Sequence, residues 1–169
     1  MYGVLPYFLS RNLIEVPYML LMPFLFILIF YWMIGLASTA EQFFVFYLIN
    51  FLVGLCGNSF GLLLGSIITD GKSLSSTVTI VLLPFVLFSG FFKNAGNFSS
   101  WVGWIQYLSP IKYGFAAMIE NEVKNRDSNI NSLNLDVGVG LSIGVLFGLA
   151  MFFRMLSLFF LWFMRSKMQ

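Results

Sequence analysis

The chain has 169 residues, 59% hydrophobic and 9% charged, and the apolar residues run in long blocks; a soluble domain carries about 25% charged residues. A formal charge of +2, scattered along the sequence, excludes a nucleic-acid surface and a polybasic lipid anchor. With no histidine and a single cysteine, Cys56, set among apolar residues, neither a disulfide framework nor a zinc site can be built, and no metal is expected.

The opening MYGVLPYFLSRNLIEVPY lacks the basic start, short apolar stretch and cleavage site of a secretory signal peptide, so it reads as mature sequence. A bilayer core about 30 Å thick needs about 20 apolar residues in a helix. Four charge-free stretches meet that length, and they predict four transmembrane helices over about 16–40, 42–69, 73–92 and 137–164, the last interrupted by Arg154. Lipid offers no hydrogen-bond partners to the backbone, and the short alternating segments of a barrel do not occur, so the expected class is an all-α membrane protein.

Gly54, Gly57, Gly61 and Gly65 in the second stretch and Gly140, Gly144 and Gly148 in the fourth make flat stripes at helical spacing. Such stripes let helices approach closely, and packing within the chain is expected over a subunit interface. Pro84 lies inside the third stretch, where the loss of one backbone N–H makes it a candidate hinge together with Gly90. Phe91 and Phe92 follow at the expected outer end.

Residues 94–136 divide into an aromatic, Gly/Ser/Pro-containing half that suits a re-entrant or interfacial segment and a polar outer loop. Four Lys and Arg fall on each side, so their balance does not set the orientation. The acceptor pattern Asn97-Phe98-Ser99 places this loop outside and both termini in the cytosol, with Asn97 the glycosylation candidate.

Arg154 is the one charge well inside a stretch, and snorkelling of its long side chain toward the cytosolic headgroups is the favoured reading. All seven acids lie outside the apolar stretches, which argues against ion coupling through a buried carboxylate. No phosphate loop, nucleophile elbow or histidine base occurs, so the chain is expected to hold no catalytic residue.

The run LLPFVLFSGFFKN, the pattern W-x-x-W-x-x-Y-x-S-P-x-x-Y-G-F from Trp101 to Phe115 and the pair Asn121-Glu122 resemble the last part of the membrane domain of White-type, or G-subfamily, ATP-binding cassette transporters. YGVLPYFLSRNLIEVPYMLLMPFLFILIFYWMIGL resembles the family's lead into its third membrane helix, and FFRMLSLFFLWFMRSK its last helix and basic tail. The four stretches then correspond to family helices three to six of an ABC-2 type membrane domain. The nucleotide-binding domain and two further helices of a complete member are absent from this sequence, which thus looks like part of a longer protein or a shortened half-transporter.

The resemblance implies a half-transporter that exports lipids, sterols or other amphipathic molecules in the plasma membrane or an endomembrane. It implies a homo- or heterodimer, non-covalent because the outer loop has no cysteine, and a nucleotide-binding domain in cis or in trans that holds ATP and Mg. By the same resemblance Thr79, Leu82, Leu83 and Val86 line the central cavity, Phe91 and Phe92 form a hydrophobic plug, and the segment from Tyr2 to Glu15 couples the ATPase to the membrane part, with Arg11 and Glu15 as polar contacts. Two rivals remain: a stand-alone permease subunit that recruits a separate ATPase, and a non-transporting membrane protein that modulates a full-length relative.

Overall fold

The computed structural model describes residues 4–36, 39–68, 70–87, 89, 107–123 and 138–167. They form five helices: α1 (Val4–Ile34), α2 (Ala40–Ile67), α3 (Gly71–Leu87), α4 (Pro110–Val123) and α5 (Val139–Lys167). Three carry stretches long and apolar enough to cross a membrane, Leu9–Ile34, Ala40–Ile67 and Val139–Phe163, while α3 is a shorter apolar helix. At 17 residues α3 is about 26 Å long.

The stops and starts of the first three helices follow from local chemistry. Gly35 adopts the left-handed backbone (φ 69°), and its N–H and that of Leu36 return to the Trp32 and Tyr31 carbonyls. This Schellman arrangement ends α1 at Ile34, short of the boundary at Ala40 suggested by charge alone, because glycine takes that conformation without a Cβ clash. At its other end α1 continues unbroken to Val4, so the segment that resembles the coupling helix and the first span are one helix of 31 residues.

Asp70 caps α3: its carboxylate accepts the Ser73 hydroxyl at 2.8 Å. That bond and the backbone amides of Lys72 and Ser73 hold Asp70 below the usual carboxylate range. At the far end of α3, Pro84 lies within continuous helix.

The centre of the molecule is the pair α2 and α5, with α4 laid across their N-terminal halves and α1 antiparallel to α2. Cys56 donates to the Leu146 carbonyl at 3.0 Å, and the Phe60 and Phe153 rings meet edge to face with centroids 5.4 Å apart. Both pairs advance in the same direction along the two chains, so α2 and α5 run parallel.

The buried positions of α2, Ile49, Leu52, Cys56, Ser59, Leu63 and Ser66, recur at alternating steps of three and four, the spacing of a helix–helix seam. Facing them on α5 are Ser142, Leu146, Ala150, Phe153 and Ser157, all buried. Close approach in this seam comes from serine, cysteine and alanine. Ser59 and Ser66 satisfy their hydroxyls on the Leu55 and Leu63 carbonyls of their own helix, at 2.7 and 2.6 Å, so they are sterically small and polar-neutral inside an apolar contact.

The expectation that the glycine stripes build this packing is corrected. A Cβ placed on Gly54, Gly57, Gly61, Gly140, Gly144 or Gly148 meets nothing within 4 Å, and one on Gly65 only touches Leu74 at 3.9 Å. The stripes face away from the seam, because the heptad of buried α2 residues runs along the other side of the helix.

Candidate transport site

Helix α3 is held by one side and open on the other. Phe85 is buried, its ring 5.7 Å from that of Phe60, which in turn contacts Phe153. On the opposite face Ser76, Thr79, Leu83 and Val86 follow one another at steps of three, four and three and are exposed. The Thr79 hydroxyl donates back to the Ser75 carbonyl at 3.1 Å, which leaves a methyl-lined, polar-neutral surface. Leu82 lies half-buried on the flank between the two faces. The structure therefore brings Thr79, Leu83 and Val86 onto one open stripe and sets Leu82 beside it.

Gly90, Phe91, Phe92 and Asn97 lie outside the described residues, so hinge, plug and glycosylation site carry no geometry here. The chain on both sides of the plug residues is anchored, however. Ser89 is fully buried and bonds its N–H and its hydroxyl to the Val86 carbonyl, at 3.3 and 2.6 Å. Ser109, also fully buried, donates its hydroxyl to the Phe85 carbonyl at 3.0 Å. Pro110 opens α4, the place in a helix where a missing N–H is harmless.

Helix α4 is positioned by small residues and by a polar clamp. Gly114, Ala116 and Ala117 are buried, and a Cβ on Gly114 would fall 2.5 Å from Val53 Cγ2, so only glycine fits this crossing of α2. At the start of α2, Gln42 Nε2 donates to the Asn121 carbonyl at 2.9 Å and Asn121 Nδ2 donates to the Gln42 carbonyl at 3.0 Å. The Tyr31 hydroxyl donates to Glu122 Oε1 at 3.1 Å. The Asn121-Glu122 pair thus ties α4 to the C-terminal end of α1 and the N-terminal end of α2.

Lys112 is buried with its ammonium 4.7 Å from the Tyr107 ring centroid, and burial pushes it below its ordinary range. These contacts to Gln42, Tyr31, Val53 and Phe85 join residues far apart in sequence, and the S-P, Y-G and Asn-Glu patterns marked α4 by family resemblance without indicating its partners.

Residues 1–123 match the ABC-2 type transporter family. The chain belongs to that family. Its relatives are ABC transporters of the G family. It is 36% identical over 121 residues to the ABC transporter G family member 2 of Dictyostelium discoideum, covering 72% of this chain and 9% of that protein. It is 34% identical over 116 residues to Protein white of Ceratitis capitata, covering 69% and 17% of the two chains. To the ABC transporter ATP-binding protein/permease wht-3 of Caenorhabditis elegans it is 34% identical over 129 residues, 76% of this chain and 21% of that one.

The ABC-2 chain therefore spans less than a quarter of the length of these curated relatives. The match covers α1 to α4 and all the residues of the open α3 stripe.

At the other end of the ABC-2 bundle, Arg11 Nε donates to Glu15 Oε1 at 2.8 Å and Asn58 Nδ2 donates to Glu15 Oε2 at 2.7 Å. The carboxylate expected to serve as a coupling contact is thus turned onto α2, while the Arg11 side chain remains half exposed. Arg154 stands within electrostatic range of Glu15. Its Nε and Nη2 are buried and have no hydrogen-bond partner among the described residues. The snorkelling expectation is replaced by this inward placement, since a guanidinium that reached the headgroups would have solvated donors.

Proposed function

We propose that this chain is the membrane-domain portion of an ATP-driven half-transporter that exports lipids, sterols or other amphipathic molecules. The observation that carries the reading is the open α3 stripe of Thr79, Leu83 and Val86, apolar and polar-neutral, on a helix anchored from behind by Phe85. A surface without charge or free hydrogen-bonding groups favours cargo whose own surface is largely apolar, moved by repacking, over ions that need a polar filter.

In this reading a second half-transporter, identical or related, faces the stripe and completes the cavity, and Phe91 and Phe92 close it toward the outside. Leu82 on the flank shapes its edge. A nucleotide-binding domain, in cis or in trans, holds ATP and Mg and drives the cytosolic end of α1. Asn97 and the loop lie outside, and both termini lie in the cytosol of a plasma membrane or endomembrane protein.

Immunoprecipitation of the native protein, with an antibody raised against residues 120–136, tests the assignment. ATPase activity in the precipitate, either in a band much heavier than the 19.2 kDa of this chain or in a co-purifying one, is the expected result. A 19 kDa band with no associated ATPase would overturn it and leave the modulator reading.

A further inference from the structure

Three polar side chains from three different helices meet at one depth. Glu15 lies six residues inside the apolar stretch that starts at Leu9, and Asn58 and Arg154 each lie nine residues before the ends of theirs, at Ile67 and Phe163. At a rise of 1.5 Å per residue these offsets are about 9 to 14 Å. The three residues therefore form a single polar level within the bundle, on the side of the α1 N-terminus.

The bonding at that level is uneven. The carboxylate of Glu15 takes one donor per oxygen, Arg11 from its own helix and Asn58 from α2, and each oxygen retains room for a second. Arg154 supplies two buried donors that are unfilled among the described residues. Arg11 and Arg154 together carry two positive charges against the one negative charge of Glu15. A buried guanidinium with open donors, on a helix packed against the one that carries a carboxylate with spare acceptor capacity at a similar depth, is a poor resting arrangement in a medium of low dielectric. A relative movement of α1 and α5 that brought Arg154 into hydrogen-bond reach of Glu15 would remove the shortfall.

We propose that Glu15 is a two-position latch, bonded to Asn58 of α2 in the arrangement described here and to Arg154 of α5 in a second arrangement of the bundle. This inference rests on the exporter reading for its purpose: a pull on the cytosolic end of α1 shifts the carboxylate from one partner to the other, and α2 and α5 carry the change toward α3 and α4. Asn58 and Arg154 are positioning residues that touch no cargo. Each stabilises one of the two states, so removing either one biases the bundle toward the state that the other supports.

The opposite bias is what a merely structural role would not produce. In the protein at its native length, with Cys56→Ser, every other native cysteine replaced and Thr79→Cys as the sole reporter, the labelling rate by a membrane-impermeant thiol reagent reads the state of the α3 stripe. Asn58→Leu and Arg154→Gln are expected to move that rate in opposite directions by about tenfold each, the scale of one charge-assisted hydrogen bond. Arg154→Lys, which keeps the charge, is expected to stay near the parent rate.

Shifts of the same sign, or no shift in either variant, would overturn the latch. The comparison is made without nucleotide, so it is independent of the exporter reading. Failure of ATP to change the labelling of the parent protein counts against that reading alone.

Discussion

The hydroxyl of Ser109 occupies the carbonyl of Phe85 at 3.0 Å, in place of the helical N–H that would normally fill it. The regular partner of that carbonyl is the amide of Ser89, which instead turns tightly to Val86 at 3.3 Å. The end of α3 is thereby closed by a side chain from the start of α4. Ser109 sits where an N-cap of α4 would be, yet its oxygen serves another helix.

Ser109→Ala leaves the buried Phe85 carbonyl without that partner, which costs about 1–3 kcal/mol. Thermal unfolding in detergent is expected to show a lowered midpoint for this variant, with Ser109→Thr retaining most of the stability because it keeps the hydroxyl.

Gly114→Ala drives a methyl group to within 2.5 Å of Val53 Cγ2. Overpacking of this kind costs about 1–3 kcal/mol. The clash has a specific remedy: Val53→Ala in the same chain makes room, so the double variant is expected to be more stable than Gly114→Ala alone. Additive destabilisation in a two-variant cycle would contradict the contact.

The contrast between seam and stripe gives a third prediction. Ala150 is fully buried between α2 and α5, and Ala150→Leu is expected to disrupt the fold by overpacking. Gly57→Ala and Gly144→Ala, where a Cβ meets nothing, are expected to leave folding intact. Yield and monodispersity after extraction separate the two cases.

Gln42 and Asn121 exchange two buried hydrogen bonds through side chain and backbone. Asn121→Leu keeps the backbone carbonyl that accepts from Gln42 but removes the bond from Asn121 Nδ2 to the Gln42 carbonyl, at a cost of about 1–3 kcal/mol. Proteolysis of the folded protein within residues 107–123 is expected to speed up, as α4 loses its hold on α2.

The membrane class was legible in the sequence because charge-free blocks of span length, in a chain so poor in charge, fit little besides a bilayer. Helix ends were less legible. Gly35 stops α1 by its backbone conformation, and the join of residues 4–15 to the first span is invisible to a count that treats Arg11 and Glu15 as boundaries. The glycine stripes misled for a physical reason: serine, cysteine and alanine are also small, and a serine that bonds its own helix packs nearly as closely. Arg154 was conspicuous, but its neighbour Glu15 lies 139 positions away in the chain. Its relation to Asn58 required the packing of three helices. The α3 residues named by resemblance do share an open face, Leu82 excepted, and the plug residues lie outside the described part.

The most direct measurement is ATP-dependent export of a fluorescent phospholipid from proteoliposomes containing the native-length protein with its ATPase, comparing the parent with Leu83→Trp on the open face of α3 and Ile29→Trp on the exposed face of α1. The account predicts export by the parent and by Ile29→Trp, and a loss of about tenfold in Leu83→Trp with ATP hydrolysis retained, as expected when bulk blocks a path without unfolding it. Absence of ATP-dependent export in the parent, or equal export by the two tryptophan variants, would contradict it.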